Sequence, residues 1–156
     1  MKLFRQDSNA LVIVVLRFAI GSVFVWFGID KWIHPDAWVS WIPAWFWPLI
    51  PGGDAHLFMF LNGAFEFLVG ALLVAGKLIR PASAAAGAFL LVVALSVGIN
   101  EVTVRDNAML GSCLALFLHA NAMAKRRVPE RAIATICTLY VVFLFFFGIA
   151  YLRSAA

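Results

Sequence analysis

Residues 9–29, NALVIVVLRFAIGSVFVWFGI, form an apolar run that carries a single charge, Arg17. A helix crosses the roughly 30 Å hydrocarbon core of a bilayer with about 20 mostly apolar residues, so this stretch predicts a membrane span. A cleaved signal peptide fits it poorly. The run is long, Arg17 interrupts it, and no small-residue cleavage pattern follows. Working outward from this run, four further stretches have the same character: Ala55–Gly76, Pro81–Ile99, Val104–Met123 and Ala132–Leu152. Arg105 and Asp106 crowd the start of the fourth.

The expected fold is therefore all-α, a polytopic transmembrane helix bundle forming one membrane domain over residues 1–156. Composition agrees. Hydrophobic residues make up 64% of the chain, charged residues 13%, and mean hydropathy is +0.97. A soluble domain carries roughly 45–50% apolar and about 25% charged residues, so water alone would not keep this chain dispersed. The sequence pI near 9.5 raises nucleic acid as a partner. The basic residues, however, stand in short groups beside apolar runs and form no stripe on a polar face, which suits lipid head groups and excludes a nucleic-acid surface. Cys113 and Cys137 lie in separate apolar runs without metal-site spacing and read as small buried hydrophobes.

If five spans alternate, Lys2, Arg5, Lys77, Arg80, Lys125, Arg126, Arg127 and Arg131 share one side, leaving Lys31, Arg105 and Arg153 on the other. The basic side is the expected cytoplasmic side, with the N-terminus in and the C-terminus out. The long connection, residues 31–54, carries Trp32, Trp38, Trp41, Trp45 and Trp47 among four prolines. Indole rings favour the head-group level, so the segment predicts an outer interfacial cap with a short helix around Ala37–Trp41. It reads either as an anchoring aromatic belt or as a lid over a ligand pocket, with Trp32, Trp38, Trp41 and Trp45 at the outer entrance.

Arg17 and Glu66 need explaining, because a charge near mid-membrane costs at least about 2.5–3.5 kcal/mol on insertion scales. Counted from the span ends, their depths differ by only roughly 4–5 Å. At 100° per residue Arg17, Gly21 and Gly28 share one face, as do Asn62, Gly63, Glu66 and Gly70. Glycines let backbones approach closely. The two faces are expected to meet and Arg17 to pair with Glu66, either as a register-fixing ion pair or as the wall of a functional cavity. Asn100, Glu101, Arg105 and Asp106 gather with Asp30, Lys31 and His56 at the outer ends, and Asn62 with Glu66 would continue this group inward as a polar funnel. The candidate intramembrane site is thus Arg17, Asn62, Glu66, Asn100, Glu101, Arg105 and Asp106. Ser83, Gly87, Ala94 and Gly98 line one side of the third span. His34, His56 and His119 do not share one depth, as a bis-histidine haem would require. No nucleotide loop, serine-histidine-aspartate pattern or zinc spacing appears.

The stretches LRFAIGSVFVWFGIDK at 16–31, NGAFEFLVGALLVAG at 62–76 with Arg80, and RDNAMLG at 105–111 together resemble the DoxX/DoxD-like family of small bacterial and archaeal membrane proteins. The resemblance covers residues 10–122. It implies a core of four helices, with the fifth segment and the tryptophan-rich loop as departures, and a place in a prokaryotic cytoplasmic (inner) membrane. DoxD-type members are associated with the membrane part of thiosulfate:quinone oxidoreductase and others with membrane redox complexes. The resemblance therefore implies a quinone-facing or accessory subunit of such a complex, with no covalently bound cofactor and quinone as the ligand. The alternatives are a non-catalytic structural subunit packed against a larger complex through aromatic surfaces such as Phe143, Phe145, Phe146 and Phe147, and a small transporter. The expected partners are membrane lipids and other membrane subunits or further copies of the chain. Whether the chain is an enzyme stays open at this level.

Overall fold

The computed structural model describes residues 2–98 and 100–123, and all regular structure among them is helical. Helix α1 runs Lys2–Ile33, the short α2 Pro35–Val39, α3 Ala55–Ala75, α4 Ile79–Val97 and α5 Glu101–Met123, with 3₁₀ turns at Ala44–Leu49 and Pro51–Gly53. Among the described residues three helices are long and apolar enough to cross a membrane: Ala10–Ile33 within α1, Ala55–Ala75 and Ile79–Val97. Helix α5 is long enough, but Glu101, Arg105 and Asp106 fall in its first two turns. The expected fifth span, Ala132–Leu152, lies outside the described residues, as does Cys137.

Local chemistry sets the helix ends. Pro35 opens α2, where its missing N–H costs nothing. Asp54 caps α3 by accepting from the His56 and Leu57 backbone N–H groups at 3.0 Å. Gly76, at φ +70°, ends α3 in the left-handed region, and the Gly76 and Lys77 N–H groups donate to the carbonyls of Leu73 and Leu72. The first apolar helix continues past Ile29 to Ile33 because Asp30 and Lys31 both find partners inside the fold. The short helix of the connecting segment is Pro35–Val39, two residues earlier than expected, since Pro35 sets its start.

Helix α1 packs along α3 and α4 along α5, with sparser contact between α3 and α4 and between α1 and α5. Ile20 and Phe24 of α1, Val69 and Leu73 of α3, Ala82, Ala86 and Leu90 of α4, and Cys113 and Leu116 of α5 form one core. Cys113 is the small buried hydrophobe that its setting implied. On α4, Ser83 and Ala94 are buried, while Gly87 lies near Cys113 and Leu110.

The closest approach is between α1 and α3, where the glycine faces meet. A methyl group on Gly28 would come 2.6 Å from the Gly63 carbonyl oxygen, and one on Gly63 would come 2.7 Å from that of Gly28. Gly21 and Gly70 repeat the arrangement seven residues away. Both pairs obstruct backbone, which cannot swing aside as a side chain could. Overpacking of this kind costs typically about 1–3 kcal/mol, so Gly63→Val should lower the melting temperature in detergent, while Ala84→Val on the exposed face of α4 should not. Equal melting of the two variants would show that α1 and α3 do not touch there.

Candidate ligand cavity

The antiparallel glycine pairs put α1 and α3 in a fixed register. Level with Gly28 is Gly63, level with Gly21 is Gly70, and by the same progression level with Arg17 is Val74. Arg17 accordingly donates from Nε to the Leu73 carbonyl at 2.9 Å and from a terminal nitrogen to that of Val74 at 3.0 Å. Both carbonyls lie in the last turn of α3, that of Leu73 also accepting the Gly76 N–H, and a cation there is favoured by the helix dipole. The expected Arg17–Glu66 pair is not formed. Depths counted from span ends placed the two residues nearly level, but the glycine register separates them by about two helical turns.

Glu66 instead takes Lys31. The ammonium lies 2.5 Å from Glu66 Oε2, and both side chains are buried. Lys31 Nζ also sits 4.0 Å from the centre of the Trp38 ring and 5.9 Å from that of Phe27. The carboxylate and the aromatic faces together replace the water that the cation has lost. Sequence reasoning put Lys31 among the outer flanking charges. The signal that marks it is its place one turn beyond Gly28, on nearly the same face of α1 that meets α3.

Around this pair lies a cavity of about 410 Å³, between the end of α1, the first halves of α3 and α5, and the last turns of α4. Of the residues singled out from sequence, Asn62, Glu66, Asn100, Arg105, Asp106, Trp38 and Trp41 line it. Arg17, Glu101, Trp32 and Trp45 do not: Arg17 closes α3, Glu101 is exposed at the start of α5, Trp32 donates to the Phe60 carbonyl at 3.0 Å, and Trp45 rests on Phe46. Asn100 contributes mainly as a cap, since its Oδ1 accepts from the Val102 and Thr103 N–H groups while Thr103 Oγ1 returns a bond to the Gly98 carbonyl. Asp106 is nearly buried beside Arg105, with 3.6 Å between Nε and Oδ1.

The tryptophan segment forms the roof. Trp38 donates its indole N–H to Asp30 Oδ2 at 2.8 Å and stands edge-on to Phe27. Asp30 Oδ1 meets His34, and Asp36 meets His56 at 2.8 Å, tying the roof to both α1 and α3. Ile42, Pro43 and Phe46 complete the underside. The volume falls in the usual range for small-molecule sites, and mostly apolar walls with a few convergent polar groups are the usual lining of such sites. The lining brings the polar groups of Lys31, Asn62, Glu66 and Asp106 together with the rings of Phe27, Trp38, Trp41, Phe46 and Phe58.

In a double-mutant cycle on thermal stability, Lys31→Met and Glu66→Gln should therefore couple by about 1 kcal/mol or more, whereas Arg17→Met and Glu66→Gln should add within about 0.5 kcal/mol. Coupling of Glu66 to Arg17 rather than to Lys31 would overturn the register.

No curated protein and no solved structure matches the chain significantly. The sequence model of the DoxX family, however, matches residues 12–99, more than half the chain, from α1 through the roof and α3 to the end of α4. That span contains Lys31, Glu66 and the glycine pairs, and the chain belongs to the DoxX family.

Proposed function

We propose that this DoxX-family membrane protein binds a quinone-type ligand in the roofed cavity and serves as a quinone-facing or accessory subunit of a membrane redox complex. The observation that carries the reading is the buried Lys31–Glu66 pair opening on a mostly apolar, aromatic-roofed cavity. A charge pair held within an apolar bundle is costly and commonly marks a functional site. Lys31 would donate to a ring carbonyl, Glu66 and Asp106 would accept from ring hydroxyls, and Trp38 and Trp41 would cover the ring and exclude water. A bound quinone would supply two-electron, two-proton redox chemistry. The residues named here position the ring and hold protons at the Glu66 and Asp106 carboxylates.

The reading includes a four-helix core of α1, α3, α4 and α5 with a fifth span after it, in a single domain of a prokaryotic inner membrane. The basic residues Lys2, Arg5, Lys77 and Arg80 would face the cytoplasm, and the tryptophan roof would lie outside. An alkaline phosphatase fused after Arg127 should then be inactive and one fused after Asp54 active. The reverse pattern would invert the orientation.

The ligand is tested in nanodiscs, where decylubiquinone should quench tryptophan fluorescence saturably. Trp41→Phe should remove much of the quenching and Lys31→Met should weaken binding by about tenfold, the scale of one charge-assisted hydrogen bond. Quenching no greater than simple partition into the lipid would reject the quinone reading. A structural subunit would in that case be favoured by stoichiometric co-purification with a larger complex.

A further inference from the structure

Helices α3 and α4 follow each other through a tight turn at Gly76–Leu78, yet they pack more sparsely than either packs on its other neighbour. They meet where Phe65 lies against Phe89, ring centres 5.5 Å apart, with Phe24 on the other side of Phe89 at 6.1 Å. One turn nearer the roof, Val92 and Ser96 continue the face of α4 that carries Phe89, but here they line the cavity. Val92 is 56% exposed. On α4 Val92 stands between the cavity-lining Phe89 and Ser96 and the exposed Leu95, so it borders both the cavity and the outer surface of the described helices. At the roof Phe46 rests on Phe58 of α3, ring centres 5.4 Å apart, and both line the cavity.

We infer that the gap between α3 and α4 is a sideways portal into the bilayer, framed by Phe65–Phe89 below and Phe46–Phe58 above. The ligand would thus be a lipid-soluble molecule whose apolar chain leaves across Val92 while its ring stays at Lys31 and Glu66. Frame and sill are aromatic or aliphatic, and the outer surfaces of α3 and α4 beside them, including Leu57, Leu61, Leu91 and Leu95, are exposed and apolar. A hydrocarbon chain leaving across Val92 meets mainly aliphatic and aromatic side chains there. Toward the polar end, the roof is closed by the Trp38–Asp30 bond and by Lys31 beneath the indole. A ligand arriving from water would have to break those contacts, whereas one arriving from lipid would not. The inference rests on the proposed quinone site for the nature of the head; the chain and its route rest on the portal alone.

The test compares decylubiquinone with its tail-less counterpart, 2,3-dimethoxy-5-methyl-1,4-benzoquinone, by tryptophan quenching in nanodiscs. Val92→Phe, which adds bulk at the sill without adding an indole, should weaken decylubiquinone binding by about tenfold and leave the tail-less compound unchanged. Leu95→Phe, which places the same ring outside the cavity lining, should leave both unchanged. Val92→Met substitutes for Val92→Phe if the latter melts early, with a smaller loss in the same direction. Equal loss of both compounds in Val92→Phe, or no loss of either, overturns the portal. A wild type that binds the tail-less compound but not the tailed one also overturns it, with the quinone site left standing. A wild type that binds neither overturns both.

Discussion

The close backbone approach of α1 and α3 at Gly28–Gly63 and Gly21–Gly70 is the constraint from which the rest of the arrangement follows. With backbone against backbone the two helices cannot slide by a residue without driving a side chain into a carbonyl, and the pairing is antiparallel, so every level is set once one glycine pair is set. Arg17 is thereby brought to the carbonyls of the last turn of α3, and Lys31 comes within reach of Glu66. In an apolar bundle each of these charges needs a partner, and the register supplies one to each.

The same constraint shapes the cavity. Contact is concentrated within the pairs α1–α3 and α4–α5, and the pairs touch mainly through the core around Phe24, Leu73, Leu90 and Leu116. Toward the roofed end they separate, and the space between them is bounded by polar side chains near the α1 terminus and by aliphatic ones on α4. The tryptophan segment closes this space from above because Asp30 and Asp36 give it fixed points on α1 and through His56 on α3. Fold and cavity are thus two results of one packing choice.

Much of this was legible in the sequence. Apolar length marked the helices, and spacing at 100° per residue put Gly21 with Gly28 and Gly63 with Gly70 on faces that the structure brings together. The gathering of Asn100, Arg105 and Asp106 at one end followed from their places near a helix terminus, and Asn62 and Glu66 were expected to continue that group inward. The partner of Glu66 did not. Depth counted from span ends carries an error of several residues, enough to confuse Arg17 with Lys31, and a lysine at a span end ordinarily reads as solvated. Its burial depends on Trp38, which a short helix folds back over it, and no periodicity in the sequence encodes that return. The gap between α3 and α4 was equally hidden, since Val92 reads as one lipid-facing valine among several.

The ion pair at Glu66 reports on this register most directly. In membranes containing protein labelled with ¹⁵N in lysine side chains and ¹³C in glutamate side chains, rotational-echo double resonance measures the lysine Nζ to glutamate Cδ dipolar coupling. An Nζ to Oε2 separation of 2.5 Å predicts strong dephasing of one glutamate signal, abolished by Glu66→Gln and by Lys31→Met. If that signal is not dephased by lysine but is dephased when the arginine guanidinium nitrogens carry the label, Glu66 pairs with an arginine, and the register of α1 on α3 described above is contradicted.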